Sequence, residues 1–194
     1  MKQVAVFGGS FAPVHRGHIS VATALIEKGL ADEVWLVPCR LNPLKAEMPM
    51  ADVDRLQALR KAAGIYNAVK KAELLKVNEV ELSMPSPSYT IDTLRKLQEL
   101  YPKMQFRVVM GADSYLQFHR WKSHEEILKD FAPIVYPRPG FEVSAPEPGW
   151  TLLSGVETFD ISSTALRRSG NLKQAAKEEL EKIKELVESK VIEG

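Results

Sequence analysis

The apolar run Val4-Ala5-Val6-Phe7 ends at Gly8-Gly9-Ser10, passes through Phe11-Ala12-Pro13-Val14, and opens at His15-Arg16-Gly17-His18 into an amphipathic stretch from Ile19 to Leu30. A strand, a glycine turn and a helix start in this order constrain a chain to an α/β layout in which backbone N–H groups and a helix N-terminus face a bound anion. The glycines let the main chain approach a phosphate with no Cβ in the way. His15 and His18 are three apart, so at a helix start they share a face and can reach one ligand. Near neutral pH, two imidazoles beside a phosphate donate hydrogen bonds or carry positive charge. The segment points to phosphate chemistry on a nucleotide.

Each part has a blander use. A glycine pair after a strand is common in α/β proteins, and a lone histidine is more often structural than catalytic. Two histidines around a glycine, on a helix start that follows a glycine turn, are a rarer combination. The spacing is not the Gly-x-Gly-x-x-Gly dinucleotide fingerprint, and no Gly-Lys-Ser/Thr of a P-loop occurs in the chain. His-x-x-His with neither Cys nor an intervening Glu is weak as a zinc site, so no protein-held metal site is expected.

Composition narrows the class. The 194 residues, 45% of them hydrophobic, suffice for one full core. A net charge of +1 gives no general argument for nucleic acid or a membrane surface as partner, so an anion site here must be local. A single cysteine, Cys39, excludes an intrachain disulfide and reads as packing. The N-terminus reads as a strand rather than a signal peptide, and no apolar run approaches the length of a membrane span. The expectation is a cytoplasmic protein.

Strand and helix signals alternate along the chain. Glu33–Val37 reads as a second buried strand, followed by a proline-containing polar loop. Asp52–Ala68 carries Val53, Leu56, Leu59 and Ala63 at helical spacing. Val77–Leu82 alternates apolar and polar residues like a half-buried strand. Ser88 reads as the cap of a helix bearing Ile91, Leu94 and Leu97. Phe106–Met110 is a further strand ended by Gly111, Ser123-His124-Glu125-Glu126 fits a capping box, and Ala132–Tyr136 is another strand. Pro137–Trp150 is a surface loop rich in proline and glycine. In the tail, Ala176, Leu180, Ile183 and Val187 form one stripe, which reads as a face packed on its own domain, with a homo-oligomer seam as the other use of such a stripe. The alternation predicts an α/β, Rossmann-like, doubly wound and mainly parallel sheet with helices on both faces. Ligands in such sheets bind beyond the strand carboxyl ends, at the switch point. Phe7 and Met110 both end strands there.

The Gly8–His18 segment resembles the signature of the nucleotidyltransferase superfamily, with its (H/T)-x-G-H element filled by His15-Arg16-Gly17-His18. A second signature of that superfamily, I-S-S-T-x-x-R, is matched by Ile161-Ser162-Ser163-Thr164-Ala165-Leu166-Arg167. Within the superfamily the chain is most similar to the nicotinate-nucleotide adenylyltransferase family, over nearly its whole length. The resemblance implies one nucleotidyltransferase domain over residues 1–194, with the helical segment 171–194 packed on it. It implies transfer of AMP from ATP to nicotinate mononucleotide, with Mg²⁺ arriving on the ATP phosphates and keeping most of its waters. The alternatives are another small nucleotidyltransferase, such as a pantetheine-phosphate adenylyltransferase, or a non-catalytic nucleotide sensor.

The resemblance also distributes roles. His15 and His18 contact the ATP phosphates, with His18 at the α-phosphate in the transition state, while Gly8, Gly9, Ser10 and Gly17 allow close backbone approach. Ile161, Ser162, Ser163, Thr164 and Arg167 serve the β- and γ-phosphates. Lys45 matches a loop lysine of the family, although Asn42 and Leu44 depart from its P-P-H-K pattern, and Ala12 stands where many relatives have Asp. In Gly111-Ala112-Asp113-Ser114, Asp113 accepts from a ribose hydroxyl, and its blander use is a helix cap. Tyr89, Thr90 and Trp121 are assigned to the acceptor: an aromatic ring suits a pyridinium, and backbone N–H groups at Thr90 and just after Trp121 suit its carboxylate. Arg138 is a further phosphate candidate grouped with the acceptor residues. Arg55 reads as a surface salt-bridge partner outside the active site.

Overall fold

The computed structural model describes residues 1–40 and 48–193. Lys45, with Asn42 and Leu44, lies outside the described residues. Six strands form one parallel sheet in the order β3-β2-β1-β4-β5-β6, where β1 is Lys2–Gly9, β2 Glu33–Pro38, β3 Leu75–Val77, β4 Met104–Gly111, β5 Ile134–Tyr136 and β6 Thr151–Leu152. The chain leaves β1 toward β2 and later returns to lay β4 on the other side. The switch point therefore lies between the carboxyl ends of β1 and β4.

The side-chain period of two explains why helices cover both faces. In β1, Ala5 and Phe7 join one core, with Val34 and Leu36 of β2. Val4 and Val6 join the other, with Trp35, Val37, Phe106 and Val108. Helices α1 (Arg16–Glu27), α2 (Asp52–Lys70) and α7 (Leu172–Glu193) cover the first face, contributing Ile19, Leu25, Leu59, Tyr66, Ile183 and Val187. Helices α3 (Thr90–Leu100) and α5 (His124–Asp130) cover the second with Ile91, Leu94, Leu97 and Ile127. Two short helices, α4 (Ala112–Tyr115) and α6 (Ser163–Arg167), follow β4 and precede α7. Each fully buried leucine or isoleucine in these cores contributes about 1.5–3 kcal/mol relative to exposure.

Several local expectations need correction. The strand expected over Val77–Leu82 is β3, which ends at Val77. Asn78 N–H makes the last bond to Leu36, its side chain then accepts from Val80 N–H at 3.0 Å, and Val80–Ser83 wind into a 3₁₀ turn. Ser88 does not cap α3. Its hydroxyl donates to the buried Glu81 carboxylate at 2.5 Å, and Tyr89 stands at the cap position with no side-chain cap bond. Ser123 opens α5 without a capping box, because its backbone is left-handed (φ 52°) and its hydroxyl makes no cap bond. The strand expected from Ala132 begins at Ile134, since Ala132 has φ 32° and Pro133 has no N–H. The buried face of α2 includes Leu59 and Ala63 as expected but not Val53, which is 75% exposed, and it takes in Arg55, Ala58, Ala62 and Tyr66 as well. The two-residue β6 was too short to leave a periodic signal.

Candidate active site

Helix α1 begins with a cap made of two imidazoles. Gly17 N–H donates to His15 Nδ1 at 3.1 Å, and His15 N–H donates to His18 Nδ1 at 3.1 Å. These bonds satisfy helix-start donors that the helix itself cannot. They also bring the rings into a stack, 3.7 Å between centroids. A Cβ on Gly17 would lie 2.9 Å from His15 Cε1, so the ring requires glycine beneath it.

Burial, with the Arg138 and Arg16 guanidiniums nearby, pushes the His15 imidazole down to about 3. Burial, together with His15 and Arg138, holds His18 well below its ordinary value. Both rings are neutral at pH 7. Because each Nδ1 accepts a backbone hydrogen bond, the proton of each ring sits on Nε2, which remains to donate. Of the two roles that the sequence leaves open, donor or cation, these neutral rings take that of donor.

The loop between β1 and α1 is tied down from behind. Arg55 of α2 donates to the Ser10 carbonyl at 2.7 Å, Arg167 of α6 to the Ala12 carbonyl at 2.9 Å, and Ser163 to the Pro13 carbonyl at 2.9 Å. Phe11 is fully buried beneath, with its ring 4.9 Å from His18 and φ 44°. Added Cβ atoms at Gly8 and Gly9 would meet no protein atom closer than 3.9 and 3.4 Å respectively. The protein's own packing therefore does not demand glycine at these positions, and the half-open backbone there suits a close ligand.

The second signature thus meets the first. Ser162 caps α6 by accepting from Ala165 N–H at 3.0 Å, and the exposed Thr164 hydroxyl accepts from Arg167 at 3.1 Å. Ile161 is half-buried just before them. Across the switch point, Arg138 pairs with Asp113 at 3.1 Å. A Cβ on Gly111 would lie 2.6 Å from both Arg138 Cδ and Asp113 Oδ1, so glycine is required under that pair. Asp113 Oδ1 is buried without a hydrogen-bond partner, leaving spare acceptor capacity. Tyr136, its hydroxyl pushed up to about 12 by burial, stacks edge-on against Phe7 beside them. The sequence groups Arg138 with the acceptor residues, whereas its observed ties are to Asp113 and the histidine side.

A separate cluster holds Tyr89, Thr90 and Trp121. Lys122 Nζ lies 4.8 Å from the Tyr89 ring centroid and 2.7 Å from Asp92 Oδ2, fastening the turn after Trp121 to α3. Trp121 is half-buried against Phe118. Among the described residues the N–H groups of Thr90 and Lys122 have no intramolecular partner. Beneath them Glu81 accepts from Ser88 and, at 3.1 Å, from Thr93, which fixes the approach to α3.

Arg55 corrects the sequence reading most. It is fully buried and pairs with Asp52 at 2.5 Å while holding the loop between β1 and α1. Its signal was its place: residues 55, 58, 59, 62 and 66 form one helical stripe, and a cation inside an apolar stripe marks a buried acceptor.

Fold and site together define a nucleotide-binding protein of the cytidylyltransferase-like class, and the family described as Cytidylyltransferase-like matches residues 6–169. A probable nicotinate-nucleotide adenylyltransferase of Bacteroides thetaiotaomicron is 37% identical over 169 residues, covering 86% of this chain and 81% of that protein. The nicotinate-nucleotide adenylyltransferase of Bacillus subtilis is 34% identical over 167 residues, covering 86% and 85%. The solved nicotinic acid mononucleotide adenylyltransferase of Plasmodium falciparum, complexed with NaAD, shares the fold with a TM-score of 0.70 at 22% identity, over 91% of this chain and 90% of that one. The chain belongs to the nicotinate-nucleotide adenylyltransferase family.

Proposed function

We infer that this enzyme transfers AMP from ATP to nicotinate mononucleotide, releasing pyrophosphate and forming deamido-NAD. Relatives named for that activity align over more than four-fifths of both chains. The observation that carries the site assignment is the bonding of Ser163 and Arg167 to the loop that presents His15 and His18.

The acceptor's phosphate oxygen attacks the α-phosphorus of ATP in line, a new P–O bond forms, and the bond to the β-phosphate breaks with its electron pair leaving on pyrophosphate. The nucleophile is already ionised, so the chain needs no strong base. It must position two anions and stabilise charge on the transferring group. His18 Nε2–H is aimed at an α-phosphate oxygen, His15 Nε2–H at the adjoining phosphates, and Gly8, Gly9 and Ser10 cradle the bridge. Arg167, Ser162, Ser163 and Thr164 serve the β- and γ-phosphates from the other side, and Lys45 joins them from its loop. Asp113 takes the ribose hydroxyl, with Gly111 admitting the Asp113–Arg138 pair, and Arg138 guards the phosphate side of the acceptor. Tyr89 and Trp121 flank the pyridine ring, whose carboxylate is met by Thr90 N–H and Lys122 N–H.

Nucleotidyl transfer from ATP uses a divalent metal, and magnesium on the triphosphate would supply charge neutralisation. Among the described residues no three His, Cys, Asp or Glu side chains gather into a cage. Asp113 Oδ1, buried with no hydrogen-bond partner, is the carboxylate oxygen that would accept from the water shell of such an ion. The reading also places one unit over residues 1–194 in the cytoplasm, with no nucleic-acid or membrane partner. No helix among the described residues is long and apolar enough to cross a membrane. A homo-oligomer is compatible with it.

The test is pyrophosphate release from purified protein with MgATP and a panel of acceptors. Nicotinate mononucleotide is expected to exceed its amide in kcat/KM by on the order of a hundredfold, because an amide turns an N–H toward a donor and leaves it unmatched. Equal use of acid and amide, or preference for phosphopantetheine, would overturn the acceptor assignment.

A further inference from the structure

The signature His15-Arg16-Gly17-His18 leaves its second position open, yet in this chain Arg16 is tied to two distant parts of the fold. Its backbone N–H, the first of α1, donates to Glu179 Oε2 at 3.2 Å, and its Nε donates to the same oxygen at 3.3 Å. Its guanidinium also lies 5.3 Å from the Phe159 ring centroid, two residues before Ile161 of the second signature. Close by, Ser20 Oγ donates to the Glu157 carbonyl at 2.9 Å.

Glu179 belongs to α7, which begins beyond residue 169, where the family match stops. It is the one charged side chain on the buried face of that helix and is fully buried. Its Oε1 makes no hydrogen bond, and Lys182 Nζ approaches no nearer than 3.7 Å. A carboxylate with one oxygen left unsatisfied is a costly thing to bury for packing alone, since an alanine or leucine would continue the stripe. Its position on the N-terminal end of α1, where partial positive charge accumulates, favours the anion.

We propose that Glu179 is a positioning residue for adenylyl transfer: through Arg16 it fixes the start of α1, and hence the two imidazoles, relative to the second phosphate signature. Arg16 is the stitch, touching α1, α7 and the segment leading to Ile161–Arg167. The ATP half of the site thereby depends on a helix outside the family-matched span, whereas the Tyr89–Trp121 cluster, on the opposite face of the sheet, does not. The proposal rests on the function inferred above.

The experiment compares wild type with Glu179→Gln, Arg16→Met and Arg16→Lys, using Glu178→Gln as an exposed neighbour control. Glu179→Gln and Arg16→Met are expected to raise the KM for ATP and lower kcat, each by about tenfold, because small displacements of positioned groups cost that much or more. The KM for the acceptor should stay within twofold. Arg16→Lys should recover part of the loss. Where Glu179→Gln does not fold, Arg16→Met keeps its backbone N–H bond and carries the test. Affinity for a non-hydrolysable ATP analogue, measured by calorimetry, needs no acceptor. Wild type that binds the analogue while turning over no acceptor would defeat the functional reading, and weaker analogue binding by Glu179→Gln and Arg16→Met would then still show that Glu179 positions the ATP half of the site. Folded variants that bind the analogue and turn over like wild type, or that weaken ATP and acceptor equally, would overturn it.

Discussion

In a helix start such as that of α1, the first N–H groups need acceptors, and here two imidazole Nδ1 atoms provide them. The same bonds that stabilise the helix thus set the tautomer and aim each Nε2–H outward. His18→Ala is expected to lower kcat by on the order of 10²–10³, as for removal of one preorganised donor. It should also cost about 1 kcal/mol of stability, because the His15 N–H loses its cap. Steady-state kinetics and thermal unfolding of one preparation separate the two effects, and wild-type kcat with only a lowered melting temperature would make the ring structural. The depressed His15 value, about 3, carries a second expectation. As pH falls below about 6.5, the ordinary histidine value, the unfolded chain takes up a proton that the folded chain refuses, so stability present at pH 7 is lost progressively toward pH 3. Melting temperature should decline over that window, and His15→Ala, although less stable at pH 7, should show a shallower decline.

At the scale of elements, α6 matters for what it holds rather than for its length. Arg167 donates one N–H to the Ala12 carbonyl and another to Thr164, so the guanidinium bridges loop and helix while facing the loop that carries the histidines. Arg167→Ala should raise the KM for ATP and lower kcat, with affinity for the acceptor little changed. Arg167→Lys should restore only part, since an ammonium cannot reproduce a two-pronged contact. An Arg167→Ala enzyme with unchanged ATP kinetics would leave this residue as a loop anchor alone. Strand and helix order were legible because β1, β2 and β4 are apolar runs and α1 and α3 keep helical periods. Local polar bonds were not legible: Asn78 stops β3, and Ser88 turns to Glu81 instead of capping α3. Both outcomes depend on partners brought near only by the fold. The two signatures were readable as motifs, but the residues that seat them were not. Arg55 and Glu179 each stand inside an otherwise apolar stripe, and a charge in such a stripe is the trace that a buried partner leaves in sequence.

For the whole molecule, the parallel sheet does the assembling. It sets the ends of β1 and β4 side by side, so Gly8–His18 and Gly111–Asp113 become neighbours although many residues separate them. The second signature then closes from the far end of the chain onto the first. The cluster of Tyr89, Thr90 and Trp121, proposed to hold the acceptor, lies on the α3 and α5 side of the sheet, while the histidines and Arg167 lie toward α1, α6 and α7. A two-sided arrangement of this kind suits joining two nucleotides across the switch point, and the chemical outcome depends on which phosphorus of ATP is attacked. Parallel reactions with ATP labelled at the α- or the γ-phosphate, with nicotinate mononucleotide as acceptor, decide it. The α-label should appear in the dinucleotide and the γ-label in pyrophosphate, in equal amounts. Recovery of the γ-label on the acceptor, with the α-label left in ADP, would contradict adenylyl transfer.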